Sequence, residues 1–467
     1  MDIDIRPITP EQGDQFSDVM ATVFGETFTA EELADHDRWF EYDRSIAAFD
    51  GDRIVGTGGA FSMDLTLPGL TTIPIGGLTA ISVLPTHRRR GILRSMIAYH
   101  FEEVEARGEL VSALGASESV IYGRFGYGLA TTFADYEIDP RRGRFLREPA
   151  GRGRVRLLDP EETAKIVPPL YDRYRRGQPG ELSRPQAWWD VYARDPEWTR
   201  QGASRHHDVV YESAPGRVDG WVSYRVETRW PNGLAANVIK VRMLIGLTPE
   251  AEAGLWRYIL ELDLAGTVKL HGRPVDDPIR WRLADPRRLR VTDVGDHLWV
   301  RLLDLPGALA ARRYAVSGTL VLEVTDAQRP RNQGRFRLEG GPDGAACEPT
   351  TADPDLALDV ADLGAAYLGG AKLTSLARAE RVAELTGGAL LRADRMFASS
   401  PPPVCTTHFW PGSYHRAVDR PRQVVPVSQI DSPARPSSPV RARAGRLLDA
   451  RLLLLLGLVA VGSRGLL

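Results

Sequence analysis

Polar and apolar residues alternate from Asp2 to Arg6, the period-two pattern of a strand, and Pro10 to Phe24 then switches to helical spacing. Ser45–Phe49 and Ile54–Met63 read as a hairpin across Gly51-Asp52, a pair that favours tight turns. Leu78–Leu84 is a further strand, stopped by Pro85. After Gly91 the apolar residues Ile92, Leu93, Met96, Ile97, Phe101 and Val104 recur at helical spacing, which predicts an amphipathic helix to about Arg107. A strand over Leu110–Gly115, a short helix carrying Tyr122 and a strand over Leu129–Ile138 complete a first α/β unit, residues 1–150.

The stretch 140–153, rich in proline, glycine and arginine, reads as a linker. From 151 to 302 a similar order returns. Helices are predicted at Pro160–Tyr174, Arg184–Tyr192 and Pro249–Leu264, and strands at Asp208–Tyr211, Gly220–Glu227 and Asn237–Ile245. A third unit, 303–409, has strands at Leu320–Val324 and Gly334–Glu339 and helices at Asp359–Gly369 and Lys372–Ala379. Beyond it, Pro411, Pro421, Pro426, Pro433, Pro436 and Pro439 punctuate an arginine-rich stretch, so 410–467 is expected to be a disordered extension. Its apolar run, Leu452–Gly462, is about eleven residues long, where a bilayer span needs about 20.

A chain of 467 residues exceeds one ordinary core, which fits several domains. Its net charge of −2 argues against a general nucleic-acid binder. The two cysteines, Cys347 and Cys405, cannot form a disulfide framework, and neither a C-x-x-C nor a histidine cluster offers a metal site. The N-terminus lacks the basic start and apolar run of a secretory signal. The cytoplasm is the compartment these features suggest, with neither membrane nor nucleic acid as partner.

The candidate chemistry sits where the Leu78–Leu84 strand meets the helix after Gly91. The turn between them is His87-Arg88-Arg89-Arg90-Gly91. A helix that starts inside such a turn offers unpaired N–H groups, a positive dipole end and guanidinium donors to one point, a combination that binds pyrophosphate. Gly91 lets phosphates approach the backbone. About thirty residues on, Ala116-Ser117-Glu118-Ser119-Val120-Ile121-Tyr122-Gly123-Arg124-Phe125-Gly126-Tyr127-Gly128 carries a tyrosine on a short helix broken by glycines.

A strand, an R-x-x-G turn and a later Tyr-x-x-x-Gly resemble a GNAT N-acetyltransferase. The strings PTHRRRGILR and ASESVIYGRFGYG resemble one branch, the enhanced intracellular survival (Eis) acetyltransferases, over residues 1–409. Leu93 stands where the wider family has glycine or alanine, as in the Eis branch. The resemblance implies an α/β (α+β) fold of tandem GNAT-like domains followed by a sterol-carrier-protein-like domain. The second domain has Gly246-Leu247-Thr248-Pro249-Glu250-Ala251 in place of the arginine–glycine turn, so it is read as lacking a CoA site. Acetyl-CoA would be the co-substrate and a small-molecule amine the acceptor, without a metal, in a homo-oligomer that is a hexamer in this family.

By the same resemblance, backbone groups of Ile81, Ser82 and Val83 pair with the pantetheine arm. Arg89, Arg90, Gly91, Ile92, Leu93 and Arg94 hold the phosphates, with Arg88 at the edge, and Ser117 and Glu118 add a second contact. Tyr122 matches the general acid, while Tyr127, beyond the Gly126 break, is read as core. The base is the C-terminal carboxylate, at Phe409 if the native chain ends there and at Leu467 if the extension is retained; Glu26, His87 and His408 are stand-ins. Trp410 has a single codon one base from two stop codons, so a lost stop is one origin for such an extension. Glu26, Glu31, Glu32, Asp35, Asp37, Glu41 and Asp43, interspersed with Phe28, Trp39 and Phe40, suggest an acidic, aromatic cleft for aminoglycoside, polyamine or lysine-like acceptors. Two rival readings stay open: a non-catalytic module that binds CoA or a lipid, and an acyltransferase for longer acyl-CoAs.

Overall fold

The computed structural model describes residues 3–149, 151 and 153–409; the extension and Leu467 lie outside the described residues. Strands β1 (Asp4–Pro7), β2 (Ser45–Asp50), β3 (Arg53–Thr66), β4 (Thr72–Val83) and β5 (Val111–Gly115) are neighbours in that order in the first sheet. Helices α1 (Gly13–Phe24), α2 (Ala30–Asp37), α3 (Ile92–Ala106) and α4 (Ser119–Tyr122) accompany them. The predicted stripe on α3 is the buried one: Ile92, Met96, Ile97, Phe101 and Val104 are in the core and Leu93 is half-buried. β4 pairs antiparallel with β3 along most of its length, yet it is parallel to β5 only at Gly76–Leu78.

One predicted strand divides. The run Leu129–Ile138 becomes β6 (Gly128–Leu129) in the first sheet and β7 (Thr132–Ile138) in the second. The second sheet adds β8 (Arg154–Leu157), β9 (His207–Ala214), β10 (Arg217–Glu227), β11 (Asn237–Gly246), β12 (Ala265–Arg273) and β13 (Leu289–Asp296). The next strand, β14 (Leu298–Leu302), returns to the first sheet between β5 and β6. The two sheets therefore exchange strands, and residue 150 separates neither cleanly. The crossing is stitched at Ala130-Thr131, where both backbone N–H groups donate to Leu298 O at 2.9 and 3.1 Å.

Helices α5 (Pro160–Arg176), α6 (Gln186–Arg194) and α7 (Pro249–Leu260) belong to the second unit. The third is a five-stranded sheet, β15 (Gly318–Thr325) to β19 (Val382–Glu384), covered by short helices. Its interior is continuous with the first sheet: Phe61, Met63 and Leu65 on β3 share one apolar cluster with Leu320, Leu322 and Phe336. A fully buried ion pair, Arg301 to Asp326 at 2.7 Å, ties β14 to the third unit.

Candidate active site

Ala80 opens the first sheet. It is buried and left-handed, with φ 53°, and the β3–β4 register shifts beside it. Thr57 Oγ1 donates to Ala80 O at 2.7 Å and lies 2.7 Å from Ser82 Oγ, which holds the bulge in place. Among the described residues, the edge of β4 facing β5 has no strand partner beyond Leu78, so Ile81, Ser82 and Val83 present backbone groups to a cleft. At the far end of that edge, Arg89 and Gly91 are both left-handed, at 65° and 82°. Gly91 caps α3 without a side-chain bond, so the first N–H groups of this 15-residue helix receive no side-chain cap from it. A Cβ at Gly91 would meet nothing within 4 Å: the glycine opens onto free space and serves an unusual φ.

The cleft, about 1850 Å³ and open to solvent, is lined by Ile81, Ser82, Val83, Arg89, Gly91, Ile92, Leu93, Arg94, Ser117, Glu118 and Tyr122. Arg88 and His87 also face it. Arg90, expected with the phosphate group, is not in the lining; its guanidinium approaches Asp50 at 4.0 Å. The alternation of the turn thus sends Arg89 and Arg90 to different sides. The donor set fits a polyanion on a thioester arm: bare helix N–H groups, exposed arginines and a free strand edge. Tyr122 is almost fully buried, and burial raises its pKa, opposed by a hydrogen bond with Ser117 and reinforced by Glu118. Tyr127 is fully buried and its hydroxyl sits 2.8 Å from Ser112 Oγ, a core position.

On the other side of β4 lies a segment that sequence patterning does not place. Pro402–Phe409 is threaded through the second unit toward the first sheet. Gln178 Nε2 donates to Pro402 O at 2.7 Å, Val404 N to Pro179 O at 2.9 Å and Thr406 N to Glu181 Oε2 at 3.1 Å. Gly180, at φ 90°, allows the close passage, since a Cβ there would come within 2.8 Å of Val404 O. The segment ends with Thr79 Oγ1 donating to Phe409 O at 2.7 Å. Leu78 packs in the cluster of Tyr122, so two consecutive residues of β4 serve the two flanks. Thr79 carries no signal in the sequence; only the fold brings it to Phe409.

Phe409 and His408 also line an aromatic chamber with Trp39, Phe61, Trp188, Trp189 and Trp221. Burial and the neighbouring His297, His271, Arg184 and Arg242 push the His408 pKa well down, and His297 falls to about 3. Five of the seven acids expected around Trp39 have partners of their own. Asp35 accepts from Arg194 and from Trp198 Nε1, Asp37 from Tyr42, Glu41 from Ser62, and Asp43 from Arg107. Glu32 closes a capping box with Thr29 at the start of α2. None of the seven lines the chamber. Of the stand-in bases, Glu26 lines neither cavity, and His87 Nε2 lies 3.2 Å from Asp50 on the phosphate turn. Among the described residues there is no cluster of His, Cys, Asp or Glu that could hold a metal, and no helix is long and apolar enough to cross a membrane.

Comparison with known proteins agrees with this geometry. Residues 4–130 and 180–302 each match an acetyltransferase (GNAT) domain, and residues 305–406 match a sterol carrier protein domain. An uncharacterized N-acetyltransferase of Streptomyces avermitilis is 40% identical over 414 residues, covering 87% of this chain and 99% of its own. The N-acetyltransferase Eis of Mycobacterium tuberculosis is 36% identical over 359 residues, covering 75% of this chain and 85% of its own. The crystal structure of Eis1 from Mycobacterium abscessus superimposes with a TM-score of 0.76 at 34% identity, covering 87% of this chain and 100% of that one.

Proposed function

Since the chain belongs to the Eis family of acetyl-CoA-dependent GNAT N-acetyltransferases, we propose that its first domain carries acetyl directly from acetyl-CoA to a primary amine seated beside Phe409. The N–H groups at the start of α3, with Arg89 and Arg94 and with Arg88 at the edge, hold the pyrophosphate. The open edge at Ile81, Ser82 and Val83 takes the pantetheine arm, and Ser117 and Glu118 close the other wall. Acetyl-CoA supplies an activated thioester. The amine nitrogen forms a bond to the acetyl carbon as the carbon–sulfur bond breaks, and Tyr122 gives its proton to the departing sulfur. Its raised pKa keeps the phenol protonated at neutral pH. The proton of the ammonium goes to the chain's terminal carboxylate: in a chain ending at Phe409, to a group at the position Thr79 Oγ1 contacts, and in the full chain, to Leu467.

The observation that carries this reading is one cleft in which the bare start of α3, the open edge of β4 and Tyr122 meet. Its test is thiol release from acetyl-CoA with a panel of aminoglycoside, polyamine and lysine-like amines, on the full chain and on one ending at Phe409. Faster turnover by the shorter chain supports the terminal base at Phe409. Equal turnover keeps the transferase and removes that base, and silence from both overturns the reading. A cytoplasmic homohexamer is the assembly and compartment that the resemblance implies; both cysteines are buried free thiols, as a reducing compartment allows. Sedimentation of the full chain tests the hexamer.

A further inference from the structure

The wall of the cofactor cleft does not end with the first domain. Beyond Tyr122 the lining continues through Arg124 and Phe125 to Gln328, which lies on the loop after β15 in the third unit. Gln328 Nε2 donates to Arg124 O at 3.3 Å, so a side chain of the third unit closes on the backbone of the Tyr122 turn. The loop that carries it is held at several points. Asp326 accepts from the backbone N–H groups of Gln328 and Arg329 at 3.0 and 3.1 Å, from Asn332 Nδ2 at 3.1 Å and from the buried Arg301 guanidinium on β14. Arg329 and Arg331 then pair with Glu105, near the end of α3. The loop is thereby tied to α3 on one side and to the Tyr122 turn on the other.

Between those two elements runs a groove whose composition suits a nucleotide. Leu93 on α3 and Ile121 on α4 are half-buried against one apolar cluster and offer a flat base an apolar floor. Arg88, Arg89 and Arg94 belong to the phosphate turn and the helix start, and Arg124 to the other wall. Against these four the lining holds a single carboxylate, Glu118, among the described residues. Arg124 is exposed. Its Nε donates to Ile121 O at 3.3 Å and its guanidinium carbon lies 5.8 Å from the centre of the Phe125 ring, contacts that leave its charge without a carboxylate partner among the described residues. CoA carries a pyrophosphate and, separately on its ribose, a 3′-phosphate. The start of α3 with Arg89 and Arg94 answers the first. The second needs a cation away from that turn, and Arg124 is the arginine of this cleft that lies outside it.

We propose that this groove seats the nucleotide end of CoA, with the adenine on Leu93 and Ile121 and the 3′-phosphate between Arg124 and Gln328, so that the third domain is part of the cofactor site. This rests on the transferase reading and adds a selectivity to it: the enzyme tells CoA from the same molecule without its 3′-phosphate. A lone exposed arginine is ordinarily a solvated one. Here a donor from another unit fixes its backbone, and that donor lines the same cleft. The amide nitrogen of Gln328 has a second N–H to give the phosphate.

Calorimetric titration of the full chain with CoA and with 3′-dephospho-CoA reads this without turnover. CoA is expected to bind about tenfold more tightly, the worth of one charge-assisted contact. Arg124→Gln should reduce that ratio to about two, and Arg124→Lys should keep about half of it. Gln328→Glu keeps the size of the side chain and sets a negative charge beside the phosphate, so it too should bring the ratio to about two. Each ratio is taken within one variant, so a general loss of folded protein lowers both affinities and leaves the ratio as it was. A ratio near one in the unaltered chain, or one that survives either Arg124→Gln or Gln328→Glu, overturns the proposal and leaves the transferase reading intact. No binding of either molecule, together with no thiol release from acetyl-CoA across the amine panel, overturns both.

Discussion

In the first sheet β4 hands over to α3 through Arg88-Arg89-Arg90-Gly91; in the second, β11 hands over to α7 through Gly246-Leu247-Thr248. The topology is shared and the chemistry is opposite. Gly91 leaves the start of α3 uncapped, and its first turn holds no acid. Thr248 accepts from Ala251 N at 3.1 Å, Pro249 removes one N–H, and Glu250 and Glu252 sit in the first turn against the dipole. The strand edges differ in the same sense. β4 leaves β5 after three paired positions, whereas β11 keeps five with β12, and beyond them the Arg273 guanidinium donates to Leu244 O. A side chain there takes the acceptor that an added strand would use. One repeat offers its helix start and strand edge to a ligand, and the other answers both from within.

The largest break of this contrast removes the group that only the first domain has. Tyr122→Phe should lower kcat about a hundredfold, with the acetyl-CoA KM within about twofold, as steady-state thiol release would read. Next, Arg94→Glu puts an acid into the bare turn, as α7 has by nature. Acetyl-CoA should then bind about thirtyfold more weakly by calorimetry, while Glu250→Ala in the second domain changes nothing.

A third test lies in the core of the first domain. His100 on α3 is buried, 2.8 Å from Ser112 Oγ, and burial with Arg44 nearby lowers its pKa from 6.5 to about 3. The unfolded chain therefore binds a proton here that the native state refuses. Stability is full above pH 6.5 and falls as pH drops toward about 3, by about 1.4 kcal/mol per pH unit for this ring. Urea midpoints at pH 7 and pH 5 should show the loss, and His100→Gln should lessen it by the share of one ring, leaving that of His297 and His408. The smallest effect is Thr248→Ala, which uncaps α7: about 1 kcal/mol of stability and no change in acetyl-CoA affinity, since the acids and Arg273 remain.

The sequence made α3 legible because one buried stripe and one glycine recur within a single helix, and the helix it predicts is the one present. The division of Leu129–Ile138 between two sheets was not legible. Both halves are good strand, and the choice is made by β14, more than 150 residues away, for which local pattern has no signal. Arg90 was grouped with Arg89 because adjacent arginines look alike until the turn assigns their directions. The acids near Trp39 read as a charged cleft because counting cannot see that Arg194 and Trp198, on another unit, claim Asp35. Thr79 and the chamber walls come together only when 402–409 is threaded, which is a property of the whole fold.

The central claim is that one of the two repeats, and only one, holds acetyl-CoA. Titration calorimetry of the full chain with acetyl-CoA tests it directly. One molecule bound per chain, with binding abolished by Arg89→Glu combined with Arg94→Glu, is the expected result. Two molecules per chain, or undiminished binding in that double variant, would contradict it.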